Sequence, residues 1–121
     1  LTLTERGAAD QLAARAEAAY NTADYPLAEG LLRQYLQEAE NERAKLALGV
    51  SLLETNRDSA AIEVFTEIAE SGSTLAPYGN WYLALAAVKR GDNATALEYL
   101  DLIPTTDAYL RERVTQLRAT L

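Results

Sequence analysis

Three alanines recur along this chain at a nearly constant spacing, and that spacing limits the possible folds more than any other feature. Ala28, Ala61 and Ala96 lie 33 and 35 residues apart, and each has a large apolar residue four positions later. Another small residue stands twelve positions before each alanine. An internal period of about 20 to 50 residues indicates an array of one repeated supersecondary unit. The large residues are Leu32, Phe65 and Leu100, and the second set of small residues is Ala16, Gly49 and Ala84.

Helix-forming residues fill the segments between clear breaks. Ala, Leu and Glu dominate, Pro and Gly are sparse, and no long stretch alternates with period two, so the pattern predicts an all-α fold. We expect seven helices, over about residues 4–22, 25–39, 41–55, 58–70, 75–90, a sixth after Asp92, and 106–120. Asp24, Asp58 and Asp92 are the expected N-caps, and Thr2 with Glu5 fits a capping box.

The small residues predict how these helices pack. Two helices approach closely only where the facing side chains are small, so we expect both sets of small residues at the crossing point of a helix hairpin. The large residue one turn later then fills the space toward the neighbouring hairpin. A chain of 121 residues can bury a continuous core. We therefore predict one domain, residues 1–121, built from antiparallel helix hairpins.

The composition excludes several classes of function. The chain has no His and no Cys, which removes imidazole bases, thiol nucleophiles and zinc sites built on these residues. No Gly-rich phosphate loop is present, the net charge is −7, and no basic stripe offsets it, so nucleic acid is not an expected partner. Every carboxylate pair falls on a predicted exposed helix face. We expect no catalytic residue, no cofactor and no metal, and hence no enzyme.

In the third copy, Trp81, Leu83 and Ala84 precede a Gly-Asp turn, and Ala96 and Leu100 follow it. With these residues the chain resembles the tetratricopeptide repeat family, whose period is 34 residues, over about residues 8–104. The second copy departs from the pattern with Asn56-Arg57 at the turn, and the first has Arg15 where the pattern has Leu.

The resemblance implies a right-handed superhelix, an α-solenoid with repeats over about residues 8–41, 42–75 and 76–105. The last helix, about 106–120, is the terminal cap that such arrays need. The style of the third copy is similar to bacterial repeat proteins, often soluble portions of envelope or membrane-anchored chains; a cytoplasmic protein is the alternative. Because the chain starts at Leu1 and contains no Met, we expect it to be part of a longer protein.

In this family, the first helix of each repeat lines a concave groove. The resemblance therefore implies a partner-binding groove made of first-helix residues, and we expect no insertion of this fragment into a membrane. Six of these residues would form an exposed apolar strip, and such patches usually mark binding sites. The expected groove residues are Asp10, Glu17, Tyr20, Asn21, Arg43, Glu54, Tyr78 and Lys89, together with the apolar strip, which consists of Leu46, Val50, Leu53, Trp81, Leu85 and Val88.

The expected function is a non-catalytic protein–protein interaction module, or scaffold, that holds a peptide or helix in this groove. The alternative is a structural or oligomerisation segment whose groove is covered by another part of the parent protein or by a second copy. Family members that hold acidic chaperone tails use Lys, Asn and Arg at positions that are Ala13, Glu17, Tyr78 and Tyr82 in this chain. Chaperone tails are therefore not an expected ligand.

Overall fold

The structure is a computed structural model that describes residues 8–121, with side chains from residue 10 onward. This part of the chain contains seven α-helices and no strand. The helices are α1 (Ala8–Asn21), α2 (Tyr25–Glu38), α3 (Glu42–Glu54), α4 (Asp58–Glu70), α5 (Ala76–Lys89), α6 (Asn93–Asp101) and α7 (Ala108–Thr120). The prediction of an all-α fold is confirmed for these residues, and the capping box at Thr2 and Glu5 lies outside them.

The turns inside the three hairpins have the same backbone geometry. Ala23, Asn56 and Gly91 all have positive φ angles, of 62°, 64° and 78°, and they are spaced like the three register alanines. The amide of the following residue donates to the carbonyl five residues back, at 2.8, 2.8 and 2.9 Å. This pair of features is the Schellman ending of a helix. The repeat is therefore present in the backbone, including at Asn56, where the sequence departs from the Gly-Asp pattern.

The residue after each left-handed position differs in its chemistry. Asp24 and Asp92 cap α2 and α6, because their carboxylates accept from the amides of Leu27 and Thr95 at 3.4 and 3.1 Å. Hydrogen bonds from the Thr95 hydroxyl and amide hold the pKa of Asp92 below its ordinary value. The prediction of Asp58 as a cap is wrong, because this residue already lies in the first turn of α4.

In the second copy the equivalent position is occupied by Arg57, whose side chain forms an ion pair with an acid on α2. Its Nη1 lies 2.8 Å from Oε2 of Glu29, and Nε of Arg33 lies 3.1 Å from the same oxygen. Glu29 is only 6% exposed, and among the described residues its other carboxylate oxygen, which is also buried, has no hydrogen-bond partner. The matching positions of the other copies hold Ile62 and Leu97, so an ion-paired acid stands here where the other copies have an apolar side chain.

Both sets of small residues are buried, as the sequence predicts. The three register alanines, Ala16 and Ala84 have no exposed surface, and Gly49 is also buried. The large residues one turn later are at most 1% exposed. The packing roles assigned from the spacing therefore agree with the burial in the structure.

The chain divides into two compact units between Val64 and Phe65, and α4 carries the division. In the first unit, α1 packs against α2 and α2 against α3. In the second unit, α5 packs against α6 and α7. Consecutive helices thus contact each other within each unit, which is consistent with a helical repeat.

A tight crossing joins α4 and α5 in the second unit. A Cβ atom added at Gly79 would lie 2.7 Å from the backbone N of Ala69 and 2.9 Å from the carbonyl O of Phe65. The ring of Phe65 also stacks on Tyr82, with ring centres 5.1 Å apart. The end of α4 and the start of α5 therefore approach at a distance that only glycine permits.

Candidate functional site

The predicted groove residues of the first unit lie on α1 and α3, and they differ widely in exposure. On α1, Asp10 and Asn21 are exposed, Glu17 and Tyr20 are half-buried, and the Tyr20 ring packs edge-on against Tyr25 at 5.9 Å. On α3, the charged members Arg43 and Glu54 are exposed, whereas Leu46 is half-buried and Val50 and Leu53 are each 9% exposed.

The predicted exposure of Val50 and Leu53 is wrong. The whole run from Ala47 to Leu53 is buried, so the middle of α3 has no solvated face. A helix that is apolar on all sides is a buried helix, and the sequence of this run, "ALGVSLL", already carries that pattern. The part of the apolar strip on α3 is therefore mainly core.

In the second unit, three of the predicted groove residues on α5, Tyr78, Trp81 and Leu85, belong to or pack against a cluster that includes Leu110 of α7. Trp81 is 9% exposed and belongs to a buried cluster with Ala84, Leu100, Ile103 and Leu110. Its predicted exposure is also wrong, because Leu110 of α7 belongs to the same cluster. The remaining members on α5 keep solvent-accessible surface: Tyr78, Leu85 and Val88 are half-buried and Lys89 is exposed.

A groove of about 280 Å³ lies between α5 and α7. Its α5 wall is formed by Trp81 and Leu85, two members of the predicted apolar strip. Its α7 wall was not predicted. A sequence signal for it exists, because the apolar positions Leu110, Val114, Leu117 and Leu121 mark the inner face of α7, and the wall residues lie on or next to that face. The α7 wall consists of Arg113, Gln116, Leu117 and Thr120.

Aromatic and charged side chains lie near the starts of α5 and α7. The Arg113 guanidinium lies over the Tyr109 ring, 4.3 Å from its centre, which is a cation–π geometry. The Tyr78 hydroxyl donates to Asp107 at 3.2 Å, and Asp107 also caps α7 by accepting from the Leu110 amide at 3.1 Å. Burial, followed by the Asp107 charge and hydrogen bond, raises the pKa of Tyr78 above its ordinary value. The start of α7 is thus tied to the start of α5.

Two other concave regions lie in the second unit, and they contain none of the predicted groove residues. One, of about 390 Å³, lies between α4, α5 and α6 beside Asn80, Tyr99 and the exposed Leu102. The other, of about 230 Å³, lies between α6 and α7 beside Arg111 and Arg118. Of these three concave regions, the α5–α7 groove is the one that contains predicted groove residues.

Comparison of the chain with protein-family models, with curated proteins and with solved structures finds no match. None of the helices between residues 8 and 121 has both the length and the apolar character needed to cross a bilayer.

Proposed function

We propose that this chain is a tetratricopeptide-type, right-handed helical array that acts as a non-catalytic protein-interaction module. The support is the repeat itself: three turns with a left-handed residue at the same position, the same hydrogen bond after it, and buried small residues at equivalent positions. The bound partner is a peptide or a helix. It binds in the α5–α7 groove, whose α5 wall belongs to the predicted surface of first-helix residues.

One observation carries the proposal. The groove has an apolar floor of Trp81, Leu85 and Leu117, with Arg113 and Gln116 beside it. An aromatic side chain in an apolar surface with polar groups at its edge is the usual composition of a binding hot spot; here the aromatic member, Trp81, is only 9% exposed, so Leu85 and Leu117 supply most of the accessible apolar surface. Leu85 and Leu117 keep part of their surface in solvent, so a partner would gain free energy by covering them.

The experiment uses Trp81 as a probe, because it is the only tryptophan of the chain. A displayed library of random 16-residue peptides is selected on the immobilised chain, and enriched peptides are titrated while Trp81 emission is followed. We expect saturable changes in emission that Leu85→Glu removes. Leu27→Glu is the matched control, because Leu27 lies on α2 and is 48% exposed. Failure to enrich any peptide, or equal binding to the Leu85→Glu variant, would reject the proposal.

A second candidate is a structural or oligomerisation segment, and the burial of Val50, Leu53 and Trp81 favours it. These members of the apolar strip are already covered within the chain, which leaves less surface for an external ligand. Sedimentation equilibrium separates the two candidates. A dimer that dissociates on Leu85→Glu supports the second candidate, whereas a monomer that binds peptide supports the first.

A further inference from the structure

The two helices that form the groove are depleted of acidic residues although the chain as a whole carries a net charge of −7. Helix α5 has no Asp or Glu, and its one charged residue is Lys89. Helix α7 has three arginines against the single acid Glu112. Among the described residues that line the groove, Arg113 carries the charge, and it is a cation on an acidic protein.

The three arginines of α7 have different surroundings. Arg118 forms an ion pair with Asp101 on the side facing α6, and Arg111 donates to the Thr105 carbonyl at 3.2 Å. Arg113 lines the groove, and within residues 10–121 it contacts the Tyr109 ring but forms no ion pair. Its charge is thus held beside the groove without being neutralised by a carboxylate.

Two acids at the start of α7 already have donors of their own. Asp107 accepts from the Tyr78 hydroxyl and from the Leu110 amide. Glu112 accepts from Gln116 at 3.5 Å. Arg113 is exposed and pairs with no carboxylate within residues 10–121, so it is available to a carboxylate of a bound molecule.

The backbone of the groove walls favours a helical partner. The amides and carbonyls in the middle of α5 and α7 are used in their own helices, so an extended peptide would find few main-chain partners there. Thr120 already donates its hydroxyl to the Leu117 carbonyl. A helix satisfies its own backbone groups and offers apolar residues three and four positions apart to the floor of a groove.

We infer that the α5–α7 groove binds an acidic amphipathic helix, with apolar side chains on Trp81, Leu85 and Leu117 and a carboxylate paired with Arg113. This inference rests on the proposed function and names the chemistry of its partner. The overall charge of the chain opposes it at long range, since a protein with a net charge of −7 repels acidic peptides. A preference for acidic peptides would therefore have to arise locally, at Arg113.

The test compares three peptide pools that differ at one kind of position. Each pool contains 16-residue peptides with Leu, Ile, Phe or Tyr at helical anchor positions and Ala elsewhere, and its flanking positions hold Glu, Gln or Lys. Binding is followed by Trp81 emission in 0.15 M NaCl. We expect the best Glu-flanked peptides to bind about fivefold more tightly than their Gln-flanked counterparts, because a partly shielded carboxylate–arginine pair is worth more than an exposed one.

Two variants of equal charge locate the effect. Arg113→Gln should make the Glu and Gln peptides bind equally while both still bind, and Arg111→Gln should keep the preference. Equal binding of Glu and Gln peptides to the parent chain would overturn the inference and leave the proposed function standing. A preference that Arg111→Gln abolishes as fully as Arg113→Gln would also overturn it, and no binding by any pool would reject both proposals.

Discussion

Ala23 holds a backbone conformation that an alanine rarely adopts. Its φ angle is 62°, and the equivalent residue of the third copy is Gly91, with a φ of 78°. A left-handed residue with a Cβ costs roughly 1–2 kcal/mol, partly offset by the greater freedom of glycine in the unfolded chain. We therefore expect the turn of the first copy to be strained at Ala23.

From this we predict opposite effects of two exchanges at equivalent positions. Ala23→Gly should raise the free energy of unfolding by about 0.5–1 kcal/mol, and Gly91→Ala should lower it by about 1 kcal/mol. Urea unfolding followed by circular dichroism measures both. Ala18→Gly is the control, because Ala18 is exposed inside α1 and glycine there should cost about 1 kcal/mol. If Ala23→Gly destabilises the protein as Ala18→Gly does, the left-handed turn is not strained.

Glu29 shows what a residue type alone cannot predict. A glutamate in a helix is expected on the surface, yet Glu29 is 6% exposed and paired with Arg57. Its place in the repeat would have predicted this burial better than its residue type, since the other copies have Ile62 and Leu97 at the same position. Burying the Glu29 carboxylate removes its hydration, so we expect its ion pairs to add little net stability.

At the scale of helices, the sequence predicted where the helices end but not that α7 packs over Trp81. Helices α2, α3, α4 and α5 end within two residues of their predicted bounds, because Asp, Gly and Pro near the breaks act locally. The covering of Trp81 by α7 depends on residues such as Leu110 that lie far along the chain. The α5 wall of the candidate groove was therefore predicted from the sequence, whereas its α7 wall was missed, because the apolar positions of α7 show which face is buried but not which helix it covers.

The crossing of α4 and α5 depends on a glycine that the repeat pattern does not mark. We predict that Gly79→Ala lowers the free energy of unfolding by about 1–3 kcal/mol, because the new Cβ would meet backbone atoms of α4 rather than flexible side chains. Gly30→Ala is the matched control, since a Cβ at Gly30 meets nothing within 4 Å. That exchange should stabilise α2 by up to about 1 kcal/mol. Both exchanges are measured by urea unfolding. If they stabilise the protein equally, α4 and α5 can move apart at Gly79 without loss of stability, and the prediction is wrong.

Over the whole molecule, charge is distributed unevenly along the sequence. The first 75 residues carry thirteen acids against six bases, and the last 46 carry five of each. An excess of one sign destabilises a compact state by self-repulsion, and salt screens this repulsion over about 10 Å at 0.1 M. The acidic part of the chain should therefore lose more stability at low salt than the balanced part.

Glu63 and Glu98 allow this to be tested at one register position. Both are exposed, and each stands two residues after a register alanine, in the acidic and the balanced part of the sequence respectively. In 10 mM NaCl we predict that Glu63→Gln raises the melting temperature by about 1–2 °C, a few tenths of a kcal/mol, and that Glu98→Gln raises it less. In 0.5 M NaCl the difference should disappear, because screening removes the repulsion in the parent protein as well. Equal gains for both variants at low salt, or a gain for Glu63→Gln that persists at high salt, would assign the effect to local helix propensity instead of to the charge imbalance.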